Sequence, residues 1–215
     1  MADDLAGLRQ RVSECVACPL HEGRMNVVPG DGPANAEVAF IGEAPGFNED
    51  KQARPFVGQA GKFLEELLAS VGWAREQVYI TNVVKCRPPN NRDPLPIELE
   101  TCESKWLTPE LGMINPKIIV TLGRYALTRL LPEESIGRVR GKILRWGEYV
   151  LYPIYHPAAA LHQQRLRSVI MEDFKRLPDV LEQVRAEGSQ REVQSEVANH
   201  PILPNEPEPQ QLNLF

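Results

Sequence analysis

A three-layer α/β/α sandwich with a central, mainly parallel, four-stranded sheet is the architecture this sequence predicts. Strand-like and helix-like stretches alternate along the chain. The strand candidates are apolar throughout rather than at alternate positions, which calls for helices on both faces of the sheet. Three of them run straight into polar or glycine-rich sequence, at Gly42–Gly46, Thr81-Asn82 and His156-Pro157. In sheets of this kind ligands bind beyond the carboxyl ends of the strands.

Glu37–Gly42 (EVAFIG) is a short run of β-formers that stops at glycine. Between Gly61 and Val71, the residues Phe63, Leu64, Leu67, Leu68 and Val71 recur at helical spacing and predict one core-facing stripe. Val78–Val84 (VYITNVV) reads as the second strand, and Pro96 suits the first turn of a helix reaching Met113. Lys117–Leu122 (KIIVTL) is the third strand, after which Gly123 opens a short helix to Leu131. Val139–Tyr155 alternates as a hairpin turning at Gly147, and its second arm supplies the fourth strand, Tyr152–Tyr155. A last helix covers Leu166–Val184.

The 215 residues, 42% hydrophobic and 25% charged, predict one globular domain with an extension. The domain takes residues 1–186. Residues 187–210 lack an apolar period, are acidic and hold Pro201, Pro204, Pro207 and Pro209, the composition of a disordered linker. Residues 211–215 (QLNLF) are abruptly apolar. From Glu187 onward five acids face one base, so −4 of the formal −5 sits there and −1 remains on residues 1–186. A near-neutral body still accommodates a basic groove, but this charge argues against a broad DNA-coating role. No run approaches the ~20 apolar residues of a membrane span, and Met1–Gln10, with Asp3 and Asp4, is no secretory signal. A cytoplasmic location, no membrane partner and a monomer are the expectations.

All four cysteines are placed suggestively: Cys15 and Cys18 form a CxxC, and Cys86 and Cys102 follow far downstream. In a reducing compartment such a set reads as shared metal ligands, for zinc or for an iron–sulfur cluster. The 15 residues between Cys86 and Cys102 depart from a zinc ribbon. Gly42 to Gly46 (GEAPG) permits close backbone approach but is not a dinucleotide fingerprint. Asn82 brings an amide donor and acceptor to a strand end, His156 a donor for developing negative charge, and Phe56 a ring for stacking. Each of these has an ordinary structural explanation when taken alone.

Taken together they carry a resemblance. GEAPG at 42–46, Glu49-Asp50, Arg54-Pro55-Phe56-Val57-Gly58, Tyr79 to Pro89 (YITNVVKCRPP) and Tyr155-His156-Pro157 resemble the family 4 uracil-DNA glycosylases. The match runs in order from Cys15 to Leu177 and includes every cysteine. The resemblance implies a 4Fe–4S cluster on Cys15, Cys18, Cys86 and Cys102. It implies hydrolysis of the bond between uracil and deoxyribose in single- and double-stranded DNA, with the nucleotide flipped into a pocket. Phe56 would stack on uracil, Asn82 read its N3 and O4 edge, and His156 donate to O2. Gly42, Glu43 and Ala44 would frame the pocket, and Glu49 would crowd the C5 position against thymine. Ala44 stands where better-known relatives carry an Asp, which leaves Glu43 to orient water. Leu161, on the loop after His156, would be the wedge filling the vacated stack, and Lys85, Arg87, Arg165 and Arg167 would meet phosphates. No histidine lies in 47–53, where a DNA-trapping group of related enzymes carries one. The ending Gln211, Leu212, Asn213, Leu214, Phe215 resembles the peptide that bacterial proteins present to the DNA sliding clamp. The competing expectation is a noncatalytic iron–sulfur protein that binds nucleic acid or senses redox state on the same fold.

Overall fold

The strands form because their sequences are apolar on both sides. Val38–Gly42 (β1), Tyr79–Asn82 (β2) and Ile118–Leu122 (β3) are buried at every position. In a computed structural model, which describes residues 4–187, they join Leu144–Trp146 (β4) and Tyr149–Ile154 (β5) in one sheet ordered β2-β1-β3-β5-β4. The β1, β2, β3 and β5 strands are parallel, with Gly42 opposite Asn82 and Leu122 opposite Ile154. The sheet thus has five strands, not four: the short first arm of the hairpin pairs antiparallel with β5 as well. The hairpin expected over Val139–Tyr155 is present and turns at Gly147; its first arm, three partly exposed residues, adds the fifth strand at the sheet edge.

Alternate residues of each parallel strand feed opposite cores. Ala39, Ile41, Tyr79, Ile119 and Leu151 face one side; Val38, Phe40, Ile80, Val120 and Tyr152 face the other. The helices are Leu5–Ser13 (α1), Phe47–Gln52 (α2), Gln59–Ser70 (α3), Pro96–Cys102 (α4) and Thr108–Ile114 (α5). Gly123–Leu130 (α6), Ile136–Val139 (α7), Pro157–His162 (α8) and Arg165–Lys175 (α9) follow, and the last helix resumes after Arg176 as 177–187 (α10). Residues of α1, α4, α5 and α6 build the first core; α3, α9 and α10 build the second. The expected helix from Pro96 to Met113 is interrupted by a π turn over Glu103–Leu107, between α4 and α5. The exposed edge of β2 is covered by the 27–31 segment: Asp31 and Ile80 exchange backbone hydrogen bonds of 2.9 and 2.8 Å.

Among the described residues no helix is long and apolar enough to cross a membrane. The linker beyond Glu187 and the peptide 211–215, with Gln211, Leu212, Leu214 and Phe215, lie outside the described residues.

Candidate active site

The carboxyl ends of the parallel strands bring together residues that are far apart in sequence. Gly42 closes β1 and Asn82 closes β2 directly beside it. A Cβ on Gly42 would lie 2.4 Å from Asn82 Oδ1 and 2.6 Å from Phe56 Cζ, so only glycine leaves room for that amide and that ring to converge. The Phe56 ring in turn stacks on His156, centroids 5.6 Å apart. Val83 N and Val84 N donate to Gly42 O and Glu43 O, which ties the loop after β2 to the loop after β1.

Phe56 is held in an unfavourable backbone conformation, with φ at 52°. Such a residue persists only where its surroundings over-determine it. Here the buried Arg75 donates to Phe56 O at 3.0 Å and also to Pro55 O, while Glu49 Oε1 accepts from Val57 N and Gly58 N at 2.9 and 2.7 Å. Gly61 packs its Cα against the Phe56 carbonyl, where a Cβ would come within 2.0 Å. Glu49 therefore braces the loop that carries the ring.

His156 caps α8, and its Nδ1 accepts from Ala158 N at 3.1 Å. That bond fixes the tautomer: Nδ1 bears the lone pair and Nε2 bears the proton. Burial of the imidazole, only partly offset by the charge of Glu49, pushes its pKa down to about 4. His156 is thus a neutral donor throughout the neutral range. Behind it, Gly123 at φ +84° leaves just enough space, since a Cβ would sit 3.0 Å from His156 Cβ.

A cleft of about 310 Å³ reaches this group at His156 and is lined also by Glu43, Ala44, Pro45, Gly46 and Asn91, while Phe56 and Asn82 are buried beside it and do not line it. Burial, reinforced by the charge of Asp93 and opposed by Arg124, raises the Glu43 pKa to about 7. Asp93 is itself bound by Arg124 at 2.8 Å and by the Tyr125 hydroxyl. A cavity of about 340 Å³ lies near the amino end of β1, among Glu37, Val38, Trp73 and Arg185, where Glu37 pairs with Lys117 and Arg185. It is at the wrong end of the strands for the site.

Leu161 does not sit in a loop as expected: it belongs to α8, which borders the cleft, and is 48% exposed. Of the cations expected to meet phosphate, Lys85 is a correction. Its side chain is buried under the sheet end and salt-bridged to Glu110 at 2.6 Å. The apolar run VVKC gave no sign that the lysine turns inward. Arg87 donates to Asn91 and covers the exposed Phe47 ring, Arg165 donates to Gln163, and Arg167 lies over Phe63 and pairs with Glu66.

The profile of the Uracil DNA glycosylase superfamily matches residues 29–177, which contain every one of these cleft residues. Among curated relatives, a type-4 uracil-DNA glycosylase of Sulfurisphaera tokodaii is 47% identical over 83% of this chain and 85% of its own. One from Thermotoga maritima is 46% identical over 78% of this chain and 89% of its own. A type-5 enzyme of Thermus thermophilus reaches 33% over 64% of this chain and 69% of its own. The chain belongs to the type-4 uracil-DNA glycosylases.

The cysteines of this type-4 chain occupy a separate place. Cys15, Cys18, Cys86 and Cys102 line one pocket with Arg24, Val27, Val84 and Trp106, on the α1–α5 side of the sheet. Four N–H groups point at sulfur: Trp106 Nε1 to Cys15 at 3.1 Å, Arg24 to Cys86 at 3.2 Å, Lys85 N to Cys102 at 3.3 Å and Ala17 N to Cys15 at 3.5 Å. Burial pushes the free thiols of Cys18 and Cys86 up and that of Cys102 up to about 12. Donors aimed at sulfur in so apolar a pocket suit thiolates neutralised by a bound metal group. Among the described residues no three His, Cys, Asp or Glu side chains group tightly enough for a single ion. The π turn after Cys102 is what carries Trp106 to Cys15.

Sequence reasoning missed Arg75, Gly61 and Gly123, which pack directly on Phe56 and His156, and Asp93 and Arg124, whose charges act on Glu43. Only the side-by-side Asn90 and Asn91, both at positive φ, left a trace in the sequence as a turn signal.

Proposed function

We propose that this chain hydrolyses the N-glycosidic bond of deoxyuridine flipped out of DNA, releasing uracil and leaving an abasic site. The observation that carries the reading is the convergence of Asn82, Phe56 and a neutral, Nε2-protonated His156 around Gly42. Uracil lies on Phe56, a stacking contact of ~1–3 kcal/mol that offsets part of the unstacking cost. The Asn82 amide accepts from N3–H and donates to O4; cytosine presents the opposite pattern there and is rejected. Glu49, clamped to the Phe56 loop, is assigned to the C5 edge, where a thymine methyl would need space.

As the bond to C1′ breaks, its electron pair leaves with uracil and charge builds on O2. His156 Nε2–H donates to that oxygen without having to lose a proton first. The Glu43 carboxylate steadies the cationic sugar and orients the water whose oxygen bonds to C1′; the proton released goes to solvent and on to the uracil anion. Leu161 enters the duplex from α8 and holds the gap open.

Cys15, Cys18, Cys86 and Cys102 are assigned as ligands of a 4Fe–4S cluster. Their convergence on one pocket, with N–H groups directed at Cys15, Cys86 and Cys102, supports the assignment. When bound, the cluster would cross-link the segment after α1, the loop after β2 and the end of α4, and would supply no chemistry at C1′. The peptide at 211–215 is assigned to the DNA sliding clamp.

The test is uracil release from oligonucleotides carrying one deoxyuridine, single-stranded and paired, followed by alkaline scission, on protein whose iron content and visible absorption are measured. Scission at uracil alone is expected. Iron-loaded protein that leaves both substrates intact would sink the reading and favour a noncatalytic cluster protein.

A further inference from the structure

A buried salt bridge lies directly beneath Asn82, and the chemistry above makes no use of it. Lys85 is 1% exposed and Glu110 is 3% exposed. The Lys85 ammonium has three protons and three acceptors: Glu110 Oε2 at 2.6 Å, Thr81 Oγ1 at 2.6 Å and the main-chain carbonyl of Asn82 at 2.9 Å. Glu110, on α5, is equally saturated, accepting from Thr81 Oγ1 at 3.0 Å, Tyr79 OH at 2.8 Å and Gly30 N at 3.2 Å.

A pair of this kind is a poor device for stability, because desolvating both charges consumes most of the attraction, and well-packed apolar replacements are often neutral. Its value lies in direction. The β2 ladder ends at Asn82, where Gly42 is the last paired partner. Lys85 supplies the hydrogen bond that the Asn82 carbonyl receives at this end. The main chain of Lys85 is anchored independently: its N–H donates to Cys102 Sγ at 3.3 Å and its carbonyl accepts from Val28 N at 2.8 Å. One residue therefore locates the Asn82 peptide against α5, the cysteine pocket and the segment covering the sheet edge.

We infer that Lys85 is a positioning residue for Asn82, aligning its amide with the uracil edge and fixing that alignment to the cysteine pocket. The inference rests on the assignment of Asn82 to uracil reading. A displacement of about 1 Å in such a group is enough to lower a rate ~10²-fold, so a main-chain brace at this point sets catalytic efficiency without touching substrate.

The experiment is a double-mutant cycle under single-turnover conditions. Lys85→Met alone strands the Glu110 charge and invites unfolding, so the main variant is K85M/E110Q, in which the introduced glutamine is neutral and keeps an acceptor for Tyr79 and Gly30. Melting temperature, iron content and visible absorption are recorded for every protein. We expect K85M/E110Q to be folded and cluster-loaded, and to lose at least tenfold in single-turnover rate. In an Asn82→Ala background the same pair of substitutions should change the rate less than twofold, because nothing is left to position. Equal losses in both backgrounds, an undiminished rate in K85M/E110Q, or loss of its fold or iron would each overturn the inference and leave Lys85 a structural residue. A wild-type rate in Asn82→Ala itself would instead overturn the uracil-reading assignment, and this inference with it.

Discussion

His156 and Glu43 share one cleft, yet burial drives them toward the same uncharged condition from opposite sides. Desolvation lowers the imidazole to about 4 and raises the carboxyl to about 7. For His156 the folded value lies below the ordinary 6.5, so the unfolded chain takes up the proton first. The fold thus loses stability as pH falls from about 6.5 toward 4, while the histidine stays a neutral donor at every pH at which the enzyme would work. Glu43 titrates in the working range instead. The carboxylate is the form that steadies a cationic sugar, so kcat/KM should climb between about pH 6 and 8 and level off above. In Glu43→Gln that rise should vanish along with most of the activity; a variant keeping the same limb would assign it to another group. His156→Ala should lower kcat by ~10²–10³, the usual loss for one oxyanion donor, with visible absorption unchanged. Wild-type turnover in that variant would end the assignment. The positions of both residues were legible in GEAPG and YHP, but neither protonation state was. Those depend on Ala158, Glu49, Asp93 and Arg124, which no local pattern connects to them.

Among the elements, α8 is the informative one. His156 caps it and Pro157 occupies its first position, so the residue proposed to donate to uracil also starts the helix that presents Leu161. A leucine 48% exposed on a six-residue helix contributes little to either core. As a wedge, it should matter only where a stack must be opened. Leu161→Ala is expected to slow release from duplex DNA about tenfold, a fraction of the few kcal/mol that flipping requires, and to leave the rate on single strands within twofold. Equal effects on both substrates would make Leu161 an ordinary contact. The strands were readable because burial on both faces removes the need for alternation, leaving apolar runs at 38–42 and 118–122 that are broken only by Thr121. The π turn at Glu103–Leu107 was not, since its i→i+5 geometry leaves no periodicity over so few residues. The β4–β5 hairpin was legible in the alternation around Gly147, whereas the place of β4 as a fifth strand of the sheet, made by three partly exposed residues paired with β5, was not.

Across the whole chain, charge and composition separate a near-neutral body from an acidic tail. The cleft, the cysteine pocket and the superfamily match to 29–177 all fall in the body. Removing residues 211–215 should therefore leave uracil release from short oligonucleotides unchanged while abolishing retention on immobilised sliding clamp. Clamp binding that survives the deletion would place the contact elsewhere. The family, the sheet's parallel core and the cast of residues at its carboxyl edge were all written in the linear chain, because motifs and apolar runs are local and survive as strings. What those residues are able to do came only with folding. The strained φ of Phe56 is imposed by Arg75 and Glu49, the tautomer of His156 by the turn that follows it, and the inward course of Lys85 by Glu110 on another helix. Each rests on a distance, a dielectric environment or a hydrogen bond that exists only once the chain has closed on itself.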